Sequence, residues 1–328
     1  MPSVALDQAN EGPARLSMMA WRVHEFEPPS VMRFEPLARP IAGEKEVLVK
    51  VAAAGVGPWD GWIRAGKSAL PQPLPLTLGS DLSGDIVAVG PGVSSLQVGE
   101  QIYGVTNSQF LGGYAEYAVA SVAMISKKPT SLTYIEAASV PVVAVTAWQA
   151  LFDQAQLEAG QRVLIHGAGG NVGAYAVQLA HHAGIQIIAT AAADDIPRVR
   201  DLGANMAIDF QTQHFEEEVR DLDAVIDLVG GEVQERSFKV LRRGGKLISA
   251  VSPPDQNLAQ SHGIEAAFFL VQVTSLRLAD VAGLIDGGKL KTHIGAVLPL
   301  ADAREAHLML EHLRPQPKGK IVLTTAAS

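Results

Sequence analysis

Apolar and polar positions change rhythm twice along the chain. Over the first third, short β-like runs are separated by glycine and proline. Glu46–Ala52 (EVLVKVA) alternates, and Gly84–Gly90 (GDIVAVG) is an apolar run closed by Gly90-Pro91-Gly92. Gln101–Val105 and Tyr114–Ala118 continue the pattern between polar turns. Few helical windows intervene, which predicts a β-rich domain. The proline-dense Pro71-Gln72-Pro73-Leu74-Pro75 reads as a surface connector.

The rhythm shifts near residue 136. Glu136–Leu151 predicts a helix entered or broken at Pro141, and from Arg162 strands and helices alternate. The expected strands are Arg162–His166, Gln186–Thr190, Met206–Phe210, Ala224–Val229 and Lys246–Val251. Between them, helices are expected over Val172–His182, Pro197–Leu202, Phe215–Asp221 and Val233–Leu241. Strands that are apolar throughout suit a parallel sheet with helices on both faces. That is the pattern of a doubly wound nucleotide-binding domain.

Helical periodicity returns at Leu278–Asp286 and Ala301–Leu313, and Lys320–Thr324 (KIVLT) then reads as a strand with no helix behind it. Such a strand is expected to return to the first domain. The organisation expected is therefore α/β: a β-rich domain from 1–135 plus 295–328, and an inserted doubly wound domain over 136–294. Residues 1–17 read as a flexible leader. The acidic run Glu216–Glu218 reads as a solvated helix face.

Composition narrows the function. Of 328 residues, 48% are hydrophobic and 18% charged, enough apolar material for a core in each domain. Net charge is −8, from 26 Lys+Arg against 34 Asp+Glu, which disfavours nucleic acid and anionic membrane surfaces as partners. The chain has no cysteine, so disulfides, thiolate catalysis and Cys-ligated zinc or iron–sulfur sites are excluded. No apolar run approaches the ~20 residues of a membrane span. No basic segment precedes an apolar one at the N-terminus, where Asp7 and Glu11 stand instead. A cytoplasmic protein is expected.

The sharpest local signal is Val163-Leu-Ile-His-Gly167-Ala168-Gly169-Gly170-Asn171-Val172-Gly173, between an apolar strand and a helix. A pyrophosphate needs backbone approach without a Cβ in the way and free N–H groups at a helix N-terminus. Gly169 and Gly170 are expected to supply the approach, Asn171 and Val172 the N–H groups, and Gly173 the close packing of the helix, with Ala168 among the cofactor-binding residues of the loop. The alternative is a glycine-rich turn with no ligand, but the strand–turn–helix context favours a dinucleotide. About twenty residues on, the second strand ends in Ala191-Ala192-Ala193 rather than a carboxylate, and Arg198 and Arg200 follow. This favours a 2′-phosphate and hence NADPH. NADH stays open if Asp194 reaches the ribose; Asp194 or Asp195 could also merely cap the next helix.

Further segments carry a family resemblance. They are Ala53-Ala-Gly-Val-Gly-Pro-Trp-Asp60, Leu78-Gly-Ser-Asp-Leu-Ser-Gly84, Gly112-Gly-Tyr-Ala-Glu-Tyr117, Val163–Gly173 and Asp227-Leu-Val-Gly-Gly231. Leu241-Arg-Arg-Gly-Gly245, Ile285-Asp-Gly-Gly-Lys-Leu290 and Lys318-Gly-Lys-Ile-Val322 complete the set. The chain resembles the medium-chain dehydrogenase/reductases, in their zinc-independent quinone oxidoreductase branch, from about Met18 to Thr325. The resemblance implies that the β-rich domain is GroES-like and the nucleotide domain a Rossmann fold. It implies hydride transfer from NADPH to a quinone or another activated C=C or C=O acceptor.

The family's zinc enzymes hold their metal where this chain has Gly57, Ser80, Asp81 and Val142. Gly and Val cannot ligate and one carboxylate does not make a tetrahedral site, so no metal is expected. Pro58, Trp59, Asp60 and Trp62 are implied to face the nicotinamide, with Thr146 beside the cofactor. Ala250 and Val251, within Ser249–Ser252, are implied to border the ribose; Phe269 and Val271, within Phe268–Val271, lie against the carboxamide. The branch usually carries Asn at Gly57 and often Tyr at Trp62. Asp81 is read as structural rather than a general base, and His166 as a buried, hydrogen-bonded histidine rather than a metal ligand. Two other functions stay open: a reductase of α,β-unsaturated carbonyls or enoyl thioesters, and a weakly catalytic NADPH-sensing protein.

The run Phe268-Phe-Leu-Val-Gln-Val273 is dense, apolar and β-prone. It is expected to form a sixth, edge strand, and an uncovered edge of that composition invites a second copy. A homodimer is therefore expected, unless the helix over Leu276–Leu290 covers the edge.

Overall fold

The computed structural model describes residues 16–70 and 72–325. Of the expected leader, residues 1–15 lie outside the described residues, as does Pro71 of the connector; Leu16 is exposed and Ser17 already opens a strand.

The alternating runs of the first third form antiparallel strands. In chain order they are β1 (Ser17–Val23), β2 (Arg33–Ala38), β3 (Glu46–Val56), β4 (Leu76–Thr77), β5 (Asp81–Val89), β6 (Gln101–Val105), β7 (Tyr117–Ser121) and β8 (Ile125–Lys127). One helix, α1 (Pro58–Arg64), follows β3. Strands β2, β1 and β4 make a small sheet, while β3 is the spine of a larger one. Val47, Val49 and Val51 of β3 point into the core at every second residue, while Leu48 and the stretch Ala53–Val56 are buried as well, so the strand is covered on both faces toward its end. The strand expected over Tyr114–Ala118 begins later, at Tyr117. Tyr114 and Ala115 instead bond to β1, with Trp21 N–H donating to Tyr114 O and Ala20 bridging Ala115.

The helix expected over Glu136–Leu151 is two helices, α2 (Tyr134–Ala138) and α3 (Pro141–Trp148), followed by a π-helical turn at Gln149–Gln154. Thr133 caps α2 reciprocally with Glu136, and Pro141 opens α3 because its missing N–H is not needed there.

Alternation then gives β9 (Arg162–Ile165), α4 (Asn171–His182), β10 (Gln186–Ala191), α5 (Ile196–Asp201), β11 (Met206–Asp209) and α6 (Phe215–Glu218). It continues through β12 (Leu222–Asp227), α7 (Glu232–Ser237), β13 (Leu241–Ser249), α8 (Gln256–His262), β14 (Glu265–Phe268) and α9 (Ser275–Asp286). The six strands are parallel, in the order β11-β10-β9-β12-β13-β14, so the winding reverses between β9 and β12. Ligands of such sheets lie at that switch point, beyond the carboxyl ends of the strands.

The expected edge strand over Phe268–Val273 is displaced. The sixth strand is β14, and its pairing with β13 ends at Ser249 opposite Phe268 because β13 ends there. Beyond it, Phe269 and Val273 turn into the core and Thr274 caps α9, so the apolar run wraps the domain instead of extending the sheet.

The chain closes with β15 (Ile294–Pro299), α10 (Ala303–Leu310) and β16 (Lys320–Thr324). As the KIVLT pattern predicts, β16 joins the sheet of the first third, parallel to β15 and antiparallel to β3. This return lays Lys320 against β3, α2 and the start of β5.

Candidate active site

The glycine loop leaves β9 with His166, whose N–H donates to Ile226 O, and turns at Gly167, where φ is +70°. Ala168 N–H donates to Thr190 O and Gly170 N–H to Gly167 O, which fixes the loop between β9 and β10. Helix α4 then starts with Gly170 as an extended cap that has no side chain to satisfy the first amides. The N–H groups of Asn171 and Val172 are left pointing out of the helix end. At Gly170 an added Cβ would meet only Gly167 O at 3.2 Å, so the outer face is open. At Gly173 it would lie 2.2 Å from Gly167 O; that glycine lets the helix press on the loop. An open glycine before uncapped amides fits a pyrophosphate. Gly169 differs from expectation: its face is covered by Asp195, whose Oδ2 lies 2.9 Å from where a Cβ would stand.

Beyond the loop, Ala191 is buried at the end of β10. Arg198 lies beside the loop and donates to Gly169 O. Arg200, two residues on, is solvent-exposed. Asp194 points to solvent, whereas Asp195 is drawn inward by Lys318 Nζ at 3.1 Å. Sequence reasoning missed Lys318, since nothing local places that residue beside β10.

The carboxyl ends of β12 and β13 are tied by Asp227. Its Oδ1 accepts from the N–H groups of Val229 and Gly230, and its Oδ2 from Gln234 Nε2 and Ser249 Oγ. Ser249 Oγ in turn accepts from Val251 N–H, while Ala250 N–H donates to Asp227 O. Ala250 and Val251 therefore stand on a braced turn at the carboxyl end of β13, one strand from the switch point. Phe269 is buried and Val271 half-buried against the core. Thr146 is buried on α3 and donates its hydroxyl to Val142 O at 2.7 Å. His166 is the buried histidine expected, held by Thr190 Oγ1 and Ser237 Oγ at 3.0 Å each. Burial pushes its imidazole down to about 4.

The facing wall comes from α1. Pro58 at its first position and the Asp60 carboxylate on the Gly57 N–H start the helix and hold Trp59 on its first turn. Trp59 is half-buried, with Nε1 donating to Ser80 Oγ at 3.0 Å, and Trp62 is half-exposed. Asp60 does not join them. It is wholly buried, its Oδ2 accepting from Gly57 N–H and from Tyr114 Oη, because the third helical position faces back toward the cap. Desolvation pushes Asp60 up to about 7, against the pull of the Gly57 amide and Lys320.

Asp81 is also wholly buried, and burial raises it against the pull of Lys320. Its Oδ1 accepts from Val142 N–H at 3.2 Å and its Oδ2 from Lys320 Nζ at 3.1 Å. The structural reading of Asp81 thus gains one backbone donor and one ammonium. A cavity of about 160 Å³ lies next to this pair, bordered by Asn171, Tyr175, Arg198, His293 and Lys320. It joins the N-terminus of α4 to the β-rich half of the molecule. The KIVLT pattern signalled the strand that carries Lys320, but nothing in it marked the lysine.

This assembly has known counterparts. Residues 43–130 match the alcohol dehydrogenase GroES-like domain, and residues 202–323 match the zinc-binding dehydrogenase family. The chain belongs to the medium-chain dehydrogenase/reductases, an oxidoreductase family that joins a GroES-like domain to a Rossmann fold. Within it the chain falls in the quinone oxidoreductase branch. It is 31% identical to human quinone oxidoreductase over 314 residues, covering 90% of this chain and 94% of the relative. The quinone oxidoreductase of Coxiella burnetii superposes with a TM-score of 0.88 at 31% identity, covering 95% of this chain and all of that one. Mycobacterial Rv1454c complexed with NADPH superposes at 0.83 with 29% identity, covering 94% of this chain and 99% of that one.

Proposed function

We propose that the protein is an NADPH-dependent, metal-independent reductase that delivers hydride to a quinone or a related activated acceptor. The observation that carries this reading is the Gly170 cradle at the uncapped start of α4, set at the switch point beyond β9. Its relatives' names point the same way, and the NADPH complex of a relative supports the cofactor. The division into a β-rich domain (1–135 plus 295–328) and a nucleotide domain (136–294) belongs to this reading, as do a cytoplasmic location and a small-molecule substrate.

When bound, the nicotinamide supplies the hydride. The chain's own residues bind and orient. Asn171 and Val172 offer amides to the pyrophosphate, and Gly170 keeps the approach clear. Arg198 and Arg200 offer charge to a 2′-phosphate, with Ala191 presenting no carboxylate against it. Ala250, Val251, Phe269, Val271 and Thr146 line the nicotinamide side, and Trp59 and Trp62 wall the acceptor. Asp60 is a buried support of α1 in this scheme rather than a wall residue. Metal independence is supported by side-chain chemistry at Gly57, Ser80 and Val142, where no tetrahedral ligand set forms.

The test is turnover with NADPH and NADH against a quinone panel and an enone panel, with metal analysis alongside. Quinone turnover, NADPH favoured in kcat/KM, a loss of that preference in Arg198→Ala/Arg200→Ala, and no stoichiometric zinc are expected. Zinc lost together with activity would overturn metal independence, and equal use of NADH would move the ribose role to Asp194. Faster turnover of enones would favour the second reading. That reading is supported by 33% identity to tomato 2-methylene-furan-3-one reductase over 250 residues, 72% of this chain.

A further inference from the structure

Asp195 stands just before α5, at the position where an aspartate ordinarily caps a helix. Here it caps nothing: its side chain accepts no hydrogen bond from the α5 amides. The carboxylate turns onto the glycine loop instead. Oδ2 lies 2.9 Å, and Cγ 3.1 Å, from where a Cβ of Gly169 would stand, so the missing side chain of Gly169 gives it room. Oδ1 accepts from Lys318 Nζ at 3.1 Å and lies 4.0 Å from the Arg198 guanidinium. The side chain is 16% exposed, against 89% for Asp194 beside it. One aspartate is solvated and its neighbour is held.

Folding alone does not account for this arrangement. Lys318 is half-exposed, and an ion pair with such a partner adds little to stability, whereas a helix left without its cap loses some. The place the carboxylate occupies is informative. In a doubly wound sheet the glycine loop and the end of the second strand flank the adenosine ribose, and a nearby arginine receives a 2′-phosphate. Within the parallel sheet, β10 is the second strand in chain order, and Arg198 lies against the loop through Gly169 O. The Arg198 Nε is buried and has no partner, so the guanidinium keeps a donor unused. Ala191 brings no carboxylate to this place, but Asp195, four residues on, brings one.

We propose that Asp195 sets the cofactor preference of this protein, its carboxylate holding the seat that a 2′-phosphate would take beside Arg198 and Gly169. The proposal rests on the reading of the glycine loop as a dinucleotide site. A phosphate monoester carries up to about two negative charges at neutral pH. Set beside a fixed carboxylate it meets like-charge repulsion, so Asp195 must first leave Gly169 and Lys318. A cofactor with a free 2′-hydroxyl brings no such charge and leaves the pair intact. Asp195 therefore penalises NADPH and spares NADH, and the preference that Ala191, Arg198 and Arg200 give is held below what they would give alone. Such a penalty against one of two related ligands is a means of specificity in its own right.

Three variants test this. Asp195→Asn and Asp195→Ser remove the charge, and Asp194→Asn removes the neighbouring one. Calorimetry reads the binding of 2′,5′-ADP and 5′-AMP, which differ by the 2′-phosphate, and of NADPH and NADH; thermal melting reads folding. Either Asp195 variant should bind 2′,5′-ADP and NADPH at least tenfold more tightly than wild type, with 5′-AMP and NADH within threefold. Asp194→Asn should stay within threefold for all four. Unchanged 2′,5′-ADP affinity in a folded Asp195 variant would overturn the proposal. A tenfold loss of 5′-AMP affinity in that variant would also do so, because Asp195 would then be a ribose ligand. An equal gain in Asp194→Asn would leave only net charge as the cause and overturn it as well. In the wild type, 2′,5′-ADP should be favoured over 5′-AMP by less than a hundredfold. A larger preference would mean an unobstructed seat and refute the proposal whether or not the variants fold. If wild type and variants bind none of the four, the dinucleotide reading fails and the proposal with it; binding that ignores the Asp195 charge refutes the proposal alone.

Discussion

Gly170 and Gly173 sit three residues apart, and a side chain would have opposite consequences at each. At Gly170 the backbone is extended and the only near neighbour of an added Cβ is Gly167 O at 3.2 Å. Gly170→Val is therefore expected to fold, melt somewhat below wild type because its Cβ presses on the loop carbonyl, and bind NADPH at least tenfold more weakly, as read by fluorescence titration. At Gly173 the clash with Gly167 O at 2.2 Å falls on backbone, so Gly173→Val should lose the folded loop itself. Cofactor affinity undiminished in Gly170→Val would place the pyrophosphate elsewhere. Asp60 gives a second residue-scale test. Its carboxyl rises from 3.8 to about 7 on burial, so the folded state holds the proton more tightly than the unfolded chain. The stability this contributes is full below about pH 4 and is lost as pH rises through 7. Asp60→Asn cannot ionise. Its melting temperature relative to wild type should thus climb by a few degrees between pH 5 and pH 8, and a flat difference would contradict the assignment.

At the scale of elements, α1 is a short helix that must hold the cleft wall, and its far end explains how. Arg64 is buried, donating through Nε to Glu27 O at 3.0 Å and pairing through its other nitrogens with His307 Nδ1 and Glu311. His307 belongs to α10; burial, with Arg64 beside it, pushes its imidazole down to about 3 and keeps it neutral, able to accept at Nδ1. The helix is thus capped by Asp60 at one end and bolted to α10 at the other. Breaking a buried charge network strands its remaining members. Glu311 is partly solvated, which reduces the cost. Arg64→Met should lose about 3 kcal/mol in urea unfolding. A loss under about 1 kcal/mol would mean that α1 is held by its apolar face alone.

For the molecule as a whole, the halves meet through more than the cleft. Tyr103 of β6 donates its hydroxyl to Leu278 O of α9 at 2.6 Å, and the Asp286 carboxylate gathers the N–H and hydroxyl groups of Thr130 and Ser131. The parallel sheet ends at β14, with Phe268 and Leu270 exposed near its free edge and Leu276 at the start of α9. Pairing of β14 with its copy about a two-fold axis would satisfy that edge. Sedimentation at micromolar concentration should then give twice the chain mass of 34.6 kDa. The Phe269 N–H donates inward to Ser249 O, so the N–H groups at Ala266 and Phe268 face the free edge. Ala266→Pro, which removes one of these edge N–H groups, should shift the protein to monomer. An active wild-type monomer would refute the assembly.

Much of this was legible in the residues themselves. Period-2 alternation before residue 130 and apolar runs alternating with helices after 162 determined both sheets, because burial on one face or two leaves different patterns. The glycine loop was legible because its chemistry is local: a strand end, a tight turn and a helix start lie within eleven residues. The helix break at Pro141 was legible for the same reason. Tertiary structure decided the rest. Only packing showed that β14 stops at Phe268, since β13 runs out of residues to pair with, and that Asp60 turns inward to the Gly57 amide. Lys320 and Asp81 are separated by 239 residues, and Lys318 and Asp195 by 123. No periodicity reports a contact of that length. The sequence by itself determined which segments become strand, helix and cofactor loop; the return of β16 beside β3 decided which charges meet in the cleft, because a sheet brings together residues that the chain keeps far apart.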